Sequence, residues 1–243
     1  MRVLYVLLLA CSANAATHFL SFATPSHSSG ALRNAHSARR CGFDHAKVYG
    51  PNDLSDDFKF RNEHLLNFSR GFGYWAWKSH IILQHLIYKA QENDLVCYMD
   101  AMYEFKRAEY ANALLELTRL KKHKILAFFN KPDEGTYLEK HWSKIDAFII
   151  MGVDPRHRET EQFWAGFVCV MRNFETITFV SQLAAYSEDE RIITDSRSSL
   201  GVENSDLSEN RHDQTIFSLL MKKWGAEGDH MPSGPIYNHH LRG

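Results

Sequence analysis

A chain of 243 residues with 44% apolar and 23% charged residues is long enough for one globular domain with a full hydrophobic core and too short for two comfortable ones. Its formal net charge of -1 excludes a global field that would steer it onto nucleic acid. The one basic run, Lys121, Lys122, His123 and Lys124, reads as a solvated helix end.

The amino terminus has the layout of a targeting segment. Met1 and Arg2 precede an apolar run over residues 3–10, and Ala13-Asn14-Ala15 supplies a small-x-small cleavage pattern. Cleavage after Ala15 and entry into the secretory pathway are expected, leaving residues 16–243 as the mature domain. A buried strand or an uncleaved anchor is the alternative, although the run is far shorter than the roughly 20 residues needed to span a bilayer. No transmembrane span is expected after cleavage. Asn67-Phe68-Ser69 is a glycosylation sequon compatible with that route. With Cys11 removed, Cys41, Cys97 and Cys169 remain; Cys97 and Cys169 sit in apolar runs and read as core thiols.

From there the chain alternates strand and helix signals, which argues for a largely parallel sheet with helices on its faces. Residues 18–23 read as the first strand and 29–40 as the first helix. Residues 45–49 follow as a strand, then the Gly50-Pro51-Asn52-Asp53 turn and a helix over 57–68. The segment R-G-F-G-Y-W-A-W-K from Arg70 then joins two loop glycines, Gly71 and Gly73, to Tyr74, Trp75 and Trp77, rings able to stack on a base or sugar or to join the core. Lys78 stands at the start of an apolar-periodic helix, so loop, rings and cation together suit an anionic ligand. The apolar strand 95–99 delivers Asp100 at its carboxyl end, where open α/β sheets bind ligands.

Beyond it, 109–120 reads as a helix, 124–129 as a strand and 142–151 as a helix or mixed segment. Residues 162–171 form a short apolar strand in which Gly166 signals close approach by another group. A helix over 174–186 leads into a polar stretch, 195–209. Arg211-His212-Asp213-Gln214 then opens an apolar helix reaching Trp224, presenting four polar side chains that the helix itself has little need of.

In this order the G-F-G-Y-W-A-W-K, D-L-V-C-Y-M-D-A-M, Q-F-W-A-G-F and R-H-D-Q-T-I-F-S-L-L segments resemble a family of GT-A-type glycosyltransferases. The resemblance implies an α/β fold, a single GT-A-like (Rossmann-like) domain with a mostly parallel sheet flanked by helices. It implies transfer of a sugar, hexosyltransferase-like, from a nucleotide-diphosphate donor to a glycan, protein or lipid acceptor, with stereochemistry leaning to retention. Asp213 and Gln214 would face the sugar and acceptor. Lys78, Trp75, Trp77, Gln162, Gly166 and His212 would bind the donor. Asp100 would hold a divalent metal, Mn or Mg, with phosphates, waters or other residues completing the shell, His230, His239 and His240 among the candidates. Where the family commonly reads D-A-G and a proline follows the lysine, this chain has Met102 and Ser79. A sugar- or nucleotide-binding protein on the same fold therefore stays open as a second class, whereas a metallohydrolase lacks any H-E-x-x-H spacing.

Overall fold

The computed structural model describes residues 15–130 and 137–230 in full and residues 236–238 as backbone. Six strands form one sheet. They are β1 (Thr17–Phe22), β2 (His45–Tyr49), β3 (Leu95–Met99), β5 (Ile125–Phe129), β6 (Phe163–Met171) and β7 (Asp229–His230), in the spatial order β2-β1-β3-β6-β5-β7. β1 pairs in parallel with both β2 and β3, and β5 with β7; β6 alone runs antiparallel, between β3 and β5. A separate two-stranded piece pairs β4 (Tyr103–Phe105) with β8 (Ile236–Asn238). The fold class is thus α/β, with a mixed, mostly parallel sheet flanked by helices in a single domain.

The sheet is covered on both faces, which is why the central strands β3, β5 and β6 are continuous apolar runs rather than alternating ones. Leu20, Phe22, Val96, Tyr98, Ile125, Ala127, Val168 and Val170 point to one face. There they meet α2 (Asp56–Arg61), α3 (Glu63–Leu66), α5 (Trp77–Tyr88), α8 (Ile145–Met151), α9 (Phe174–Ser187) and α11 (Asp213–Lys223). Phe19, Leu95, Cys97, Met99, Leu126, Phe128, Phe167 and Cys169 point to the other, against α1 (Ser28–Arg40) and α6 (Ala108–Leu120). Two short helices, α7 (Glu139–Trp142) and α10 (Glu190–Ile193), complete the set among the described residues, apart from the single turn discussed below.

Several sequence expectations need correction. Cys97 and Cys169 are buried as expected but are not free thiols: they are opposite each other in the β3/β6 register and form a disulfide, leaving Cys41 as the buried free cysteine. The helix expected over 57–68 breaks at Asn62, whose side-chain amide donates to the Phe58 carbonyl and ends α2. The segment 142–151 is two helices, α7 and α8, separated by Ser143 and Lys144. The basic run follows the end of α6 as expected but is only partly solvated, since Lys121 Nζ lies 2.6 Å from Asp229 and His123 Nδ1 2.6 Å from Glu175. Of residues 1–15, expected to be a cleaved leader, 1–14 lie outside the described residues; among those described, no helix is long and apolar enough to cross a membrane.

Candidate active site

A cleft of about 790 Å³ opens over the carboxyl ends of β1 and β3. The strand order reverses there, β1 leading outward to β2 on one side and to β3 on the other, which is the ligand-binding position of open α/β sheets. Its walls come from the loop after β1 (Ala23, Thr24, Ser26, His27), the start of α1 (Gly30, Arg33), the segment 69–78, Asp100 to Met102, Trp164 to Gly166, and 211–214.

Asp100 is fixed by its neighbours. Its backbone N–H donates to the Gly166 carbonyl at 2.9 Å, Asn34 on α1 donates to its carbonyl at 2.9 Å, and the Tyr98 hydroxyl donates to its Oδ1 at 2.7 Å. Asp213, the first residue of α11, is mostly buried with its side chain 13% exposed, and Lys78, on the first turn of α5, is 6% exposed. The Lys78 ammonium stands 2.6 Å from Asp213 Oδ2 and 3.2 Å from Asp100 Oδ1, and donates to the Ala165 carbonyl at 3.3 Å. Three elements therefore meet on one cation. Burial pulls the Lys78 ammonium down, but the Asp100 and Asp213 charges outweigh it and hold its pKa above the ordinary lysine value. For Asp213, burial dominates and the Asp100 charge adds to it, so its pKa is pushed up to about 6 despite Lys78.

The glycine segment is one turn, α4 (Gly71–Tyr74), of the opposite hand to an ordinary helix. Gly71, Phe72, Gly73, Tyr74 and Trp75 all have positive φ, between 50° and 85°. For residues other than glycine that conformation costs roughly 1–2 kcal/mol each. Flanking bonds hold it. Trp77 Nε1–H donates to the Gly71 carbonyl at 2.9 Å while its ring stacks on Phe22 at 3.7 Å, and Arg70 pairs with Asp195 at 3.3 Å and Glu209 at 3.0 Å. Of the expected donor-side rings, Trp77 is thus mostly core, and Trp75 is the half-buried one lying over Gly71 and beside the His212 ring at 5.6 Å. A Cβ on Gly71 would fall 2.4 Å from the Trp75 ring.

Gly166 makes way for a ring in the same manner, since its Cβ would fall 2.3 Å from the Trp164 indole; the close approach expected there is by Trp164. His212 lines the cleft with an unusual backbone, φ 53° and ψ −119°, its Nδ1–H donating to the Ile193 carbonyl at 2.7 Å, and burial lowers its pKa below the usual histidine value. Gln214 holds α11 to β6: its Oε1 accepts from the Ala165 N–H at 3.2 Å and its Nε2 donates to Gln162 Oε1 at 2.7 Å. Gln162 is fully buried and is not in the cleft wall; its amide donates to Ser143 at 3.0 Å and to the buried Glu139 at 3.2 Å, so it reaches the cleft only through Gln214.

Of the sequence candidates, Lys78, Trp75, Trp77, Asp100, Gly166, His212, Asp213 and Gln214 converge on the cleft. His230 is elsewhere, 3.8 Å from Glu161, and His239 and His240 lie outside the described residues. Sequence reasoning passed over Thr24, Ser26, His27, Arg33, Arg70, Tyr98 and Trp164, whereas Arg211 of the expected polar cluster does line the cleft. Only Tyr98 carried a usable signal, its two-residue spacing from Asp100 placing both side chains on one face of the strand.

The donor set was tested against the divalent metal that the family implies. Asp100 Oδ1 already faces Lys78 and Tyr98, Asp213 Oδ2 faces Lys78, and Ala101 and Met102 bring no oxygen side chain. That leaves one oxygen of each carboxylate, and among the described residues no group of three His, Cys, Asp or Glu could hold a metal ion. A hard divalent cation wants about six oxygen ligands. With Lys78 standing between the two carboxylates, these residues do not offer such a shell to a metal.

The fold is GT-A-like, a single α/β domain with a mixed, mostly parallel sheet and a cleft over its strand ends. Among solved structures, the chain is similar to the apo structure of the bifunctional glycosyltransferase WbbM, with a TM-score of 0.50 and 12% identity over 90% of this chain and 39% of that one. It also matches apo mouse xyloside xylosyltransferase 1 (TM-score 0.42, 10% identity, 89% of this chain and 84% of that one). A third match is the galactosyltransferase LgtC with donor and acceptor sugar analogs (0.46, 13%, 89% and 73%). The chain spans about two fifths of WbbM, and at these identities the likeness is one of fold. No family model and no curated protein sequence matches the chain.

Proposed function

We propose that the chain is a glycosyltransferase, hexosyltransferase-like, that moves a sugar from a nucleoside-diphosphate donor to an acceptor in this cleft. The observation that carries the reading is the meeting of Asp100, Asp213 and Lys78 beyond the carboxyl end of β3, at the floor of a cleft with aromatic walls. In the transfer the bond from the anomeric carbon to phosphate breaks, positive charge develops on the sugar ring and negative charge on the departing diphosphate. The Asp213 carboxylate faces the ring and offsets its charge, and Trp75 and Trp164 offer faces for the base or sugars, Gly166 making room for the Trp164 ring. The acceptor oxygen bonds to the anomeric carbon and its proton passes to the departing phosphate oxygen. Retention of configuration suits this wall, where Asp100 and Asp213 are the only described carboxylates. No step is routed through a metal.

A disulfide persists where the surroundings are oxidising, so the Cys97–Cys169 bond supports the proposal that the chain enters the secretory pathway. Mass spectrometry of the native protein is expected to find Ala16 as the mature amino terminus; an intact Met1 would refute processing. The enzymatic reading is tested by screening sugar nucleotides for nucleoside diphosphate release with the wild type and Asp213→Asn. Release by the wild type from one donor, and its loss in the variant, is the expected result.

A further inference from the structure

The Lys78 ammonium has three hydrogens and three oxygens within 3.3 Å: Asp213 Oδ2, Asp100 Oδ1 and the Ala165 carbonyl. These come from a helix start, a strand end and a neighbouring strand, and converge on one point that is closed to bulk water, with Lys78 6% exposed. Two carboxylates around a single position at a strand end are what a cation requires, and here the chain supplies the cation itself. The Tyr98 ring, 5.2 Å from Nζ, adds its electron-rich face. Flanked by two carboxylates and a carbonyl, Lys78 has its charge already offset by the protein and is not the cation left over for a phosphate.

A different cation is free. Arg33, on α1 one turn beyond the cleft-lining Gly30, lines the cleft and forms no ion pair with a described carboxylate, whereas Arg70 and Arg211 are already paired with Asp195 and Glu209.

We propose that the oxygen cage at the end of β3 is a cation site filled permanently by Lys78, that the donor's diphosphate is bound without a divalent ion, and that Arg33 is the group that meets it. The diphosphate part rests on the glycosyltransferase reading above; the cage does not. The test is manganese titration followed by electron paramagnetic resonance, together with calorimetry of UDP, GDP and CDP in EDTA and in excess manganese.

The wild type is expected to bind no stoichiometric manganese, and its best nucleoside diphosphate should bind within about twofold in the two media, a difference below half a kcal/mol. Lys78→Ala, which vacates the cage, should gain one manganese site. Arg33→Gln should lose tenfold or more in nucleoside diphosphate affinity, about the worth of one charge-assisted hydrogen bond. Stoichiometric manganese on the wild type, diphosphate binding abolished by EDTA, or a folded Lys78→Ala that gains no manganese would overturn the proposal. If Lys78→Ala does not fold, the wild-type titrations still decide. If none of the three nucleotides binds in either medium, the glycosyltransferase reading and the diphosphate part fall together, while the manganese titration still judges the cage.

Discussion

Asp213 is a mostly buried carboxylate held beside a second one, and the pKa of about 6 that results sets its pH behaviour. If the charged form is what faces the sugar, turnover should rise through about pH 6 and level off above it. Asp213→Asn should lower the plateau by about one to three orders of magnitude, the scale of a lost positioned polar group, and remove the inflection. A raised carboxyl pKa also means that the folded state keeps its proton longer than the unfolded one. Stability from this group is therefore full below the unfolded value of 3.8 and is lost as pH rises through about 6. Asp213→Asn should then melt no lower than the wild type at pH 7, which separates a catalytic group from a helix cap. Gln214 differs from Asp213 because both ends of its amide are engaged by protein. Gln214→Ala orphans the Ala165 N–H and one oxygen of buried Gln162, and should cost about 1–3 kcal/mol of stability in denaturant titrations as well as turnover.

The left-handed turn from Gly71 to Trp75 is the element that sequence reading described least well. Two glycines in five residues signalled a loop, and the loop was right, but nothing in the residue types of Phe72, Tyr74 and Trp75 announces positive φ. The conformation is imposed from outside, by Trp77 on Phe22 and by Arg70 on Asp195 and Glu209, partners 125 and 139 positions away in the case of Arg70's acids and hence invisible to local pattern. Gly73→Ala should be destabilising, since φ is +85° and the new Cβ would meet the Leu65 carbonyl at 3.0 Å; a loss of about 1–3 kcal/mol by calorimetry is expected. The β3/β6 disulfide was missed for a related reason. Cys97 and Cys169 stand in apolar strands 72 residues apart, and only the register of an antiparallel pair within an otherwise parallel sheet sets them face to face. By contrast β1, β3, β6, α1, α6, α9 and α11 were legible, because burial on both faces writes these central strands as mostly apolar runs and each helix as a periodic one.

Across the whole molecule, the cleft residues that sequence pointed to were those attached to strand ends and helix starts, while Arg33 and Trp164 became visible only when four elements were brought together. The end of the domain away from chemistry has its own titrating chain. The Tyr49 hydroxyl donates to His85 Nδ1 at 2.8 Å, His85 Nε2–H to His18 Nδ1 at 3.0 Å, and His18 Nε2–H to Asp94 Oδ2 at 3.1 Å, an assignment in which both rings are neutral. A proton added to His18 Nδ1 would face the His85 N–H. Burial, first, and the neighbouring histidine push His85 down to about 4, and burial lowers His18 as well. The unfolded chain takes up these protons near 6.5 and the folded one does not, so stability is full above that value and is lost as pH falls from about 6.5 toward 4. The melting temperature should drop between pH 7 and pH 5, and His85→Gln should flatten the drop. The central claim, that the cleft over β1 and β3 transfers a sugar, is met most directly by single-turnover measurement of nucleoside diphosphate release from a panel of sugar nucleotides, with melting temperatures taken on the same preparations. Release from at least one donor by the wild type, with folded Asp213→Asn slower by at least about tenfold, is the predicted result; no release from any donor, or equal rates in the two proteins, would contradict it.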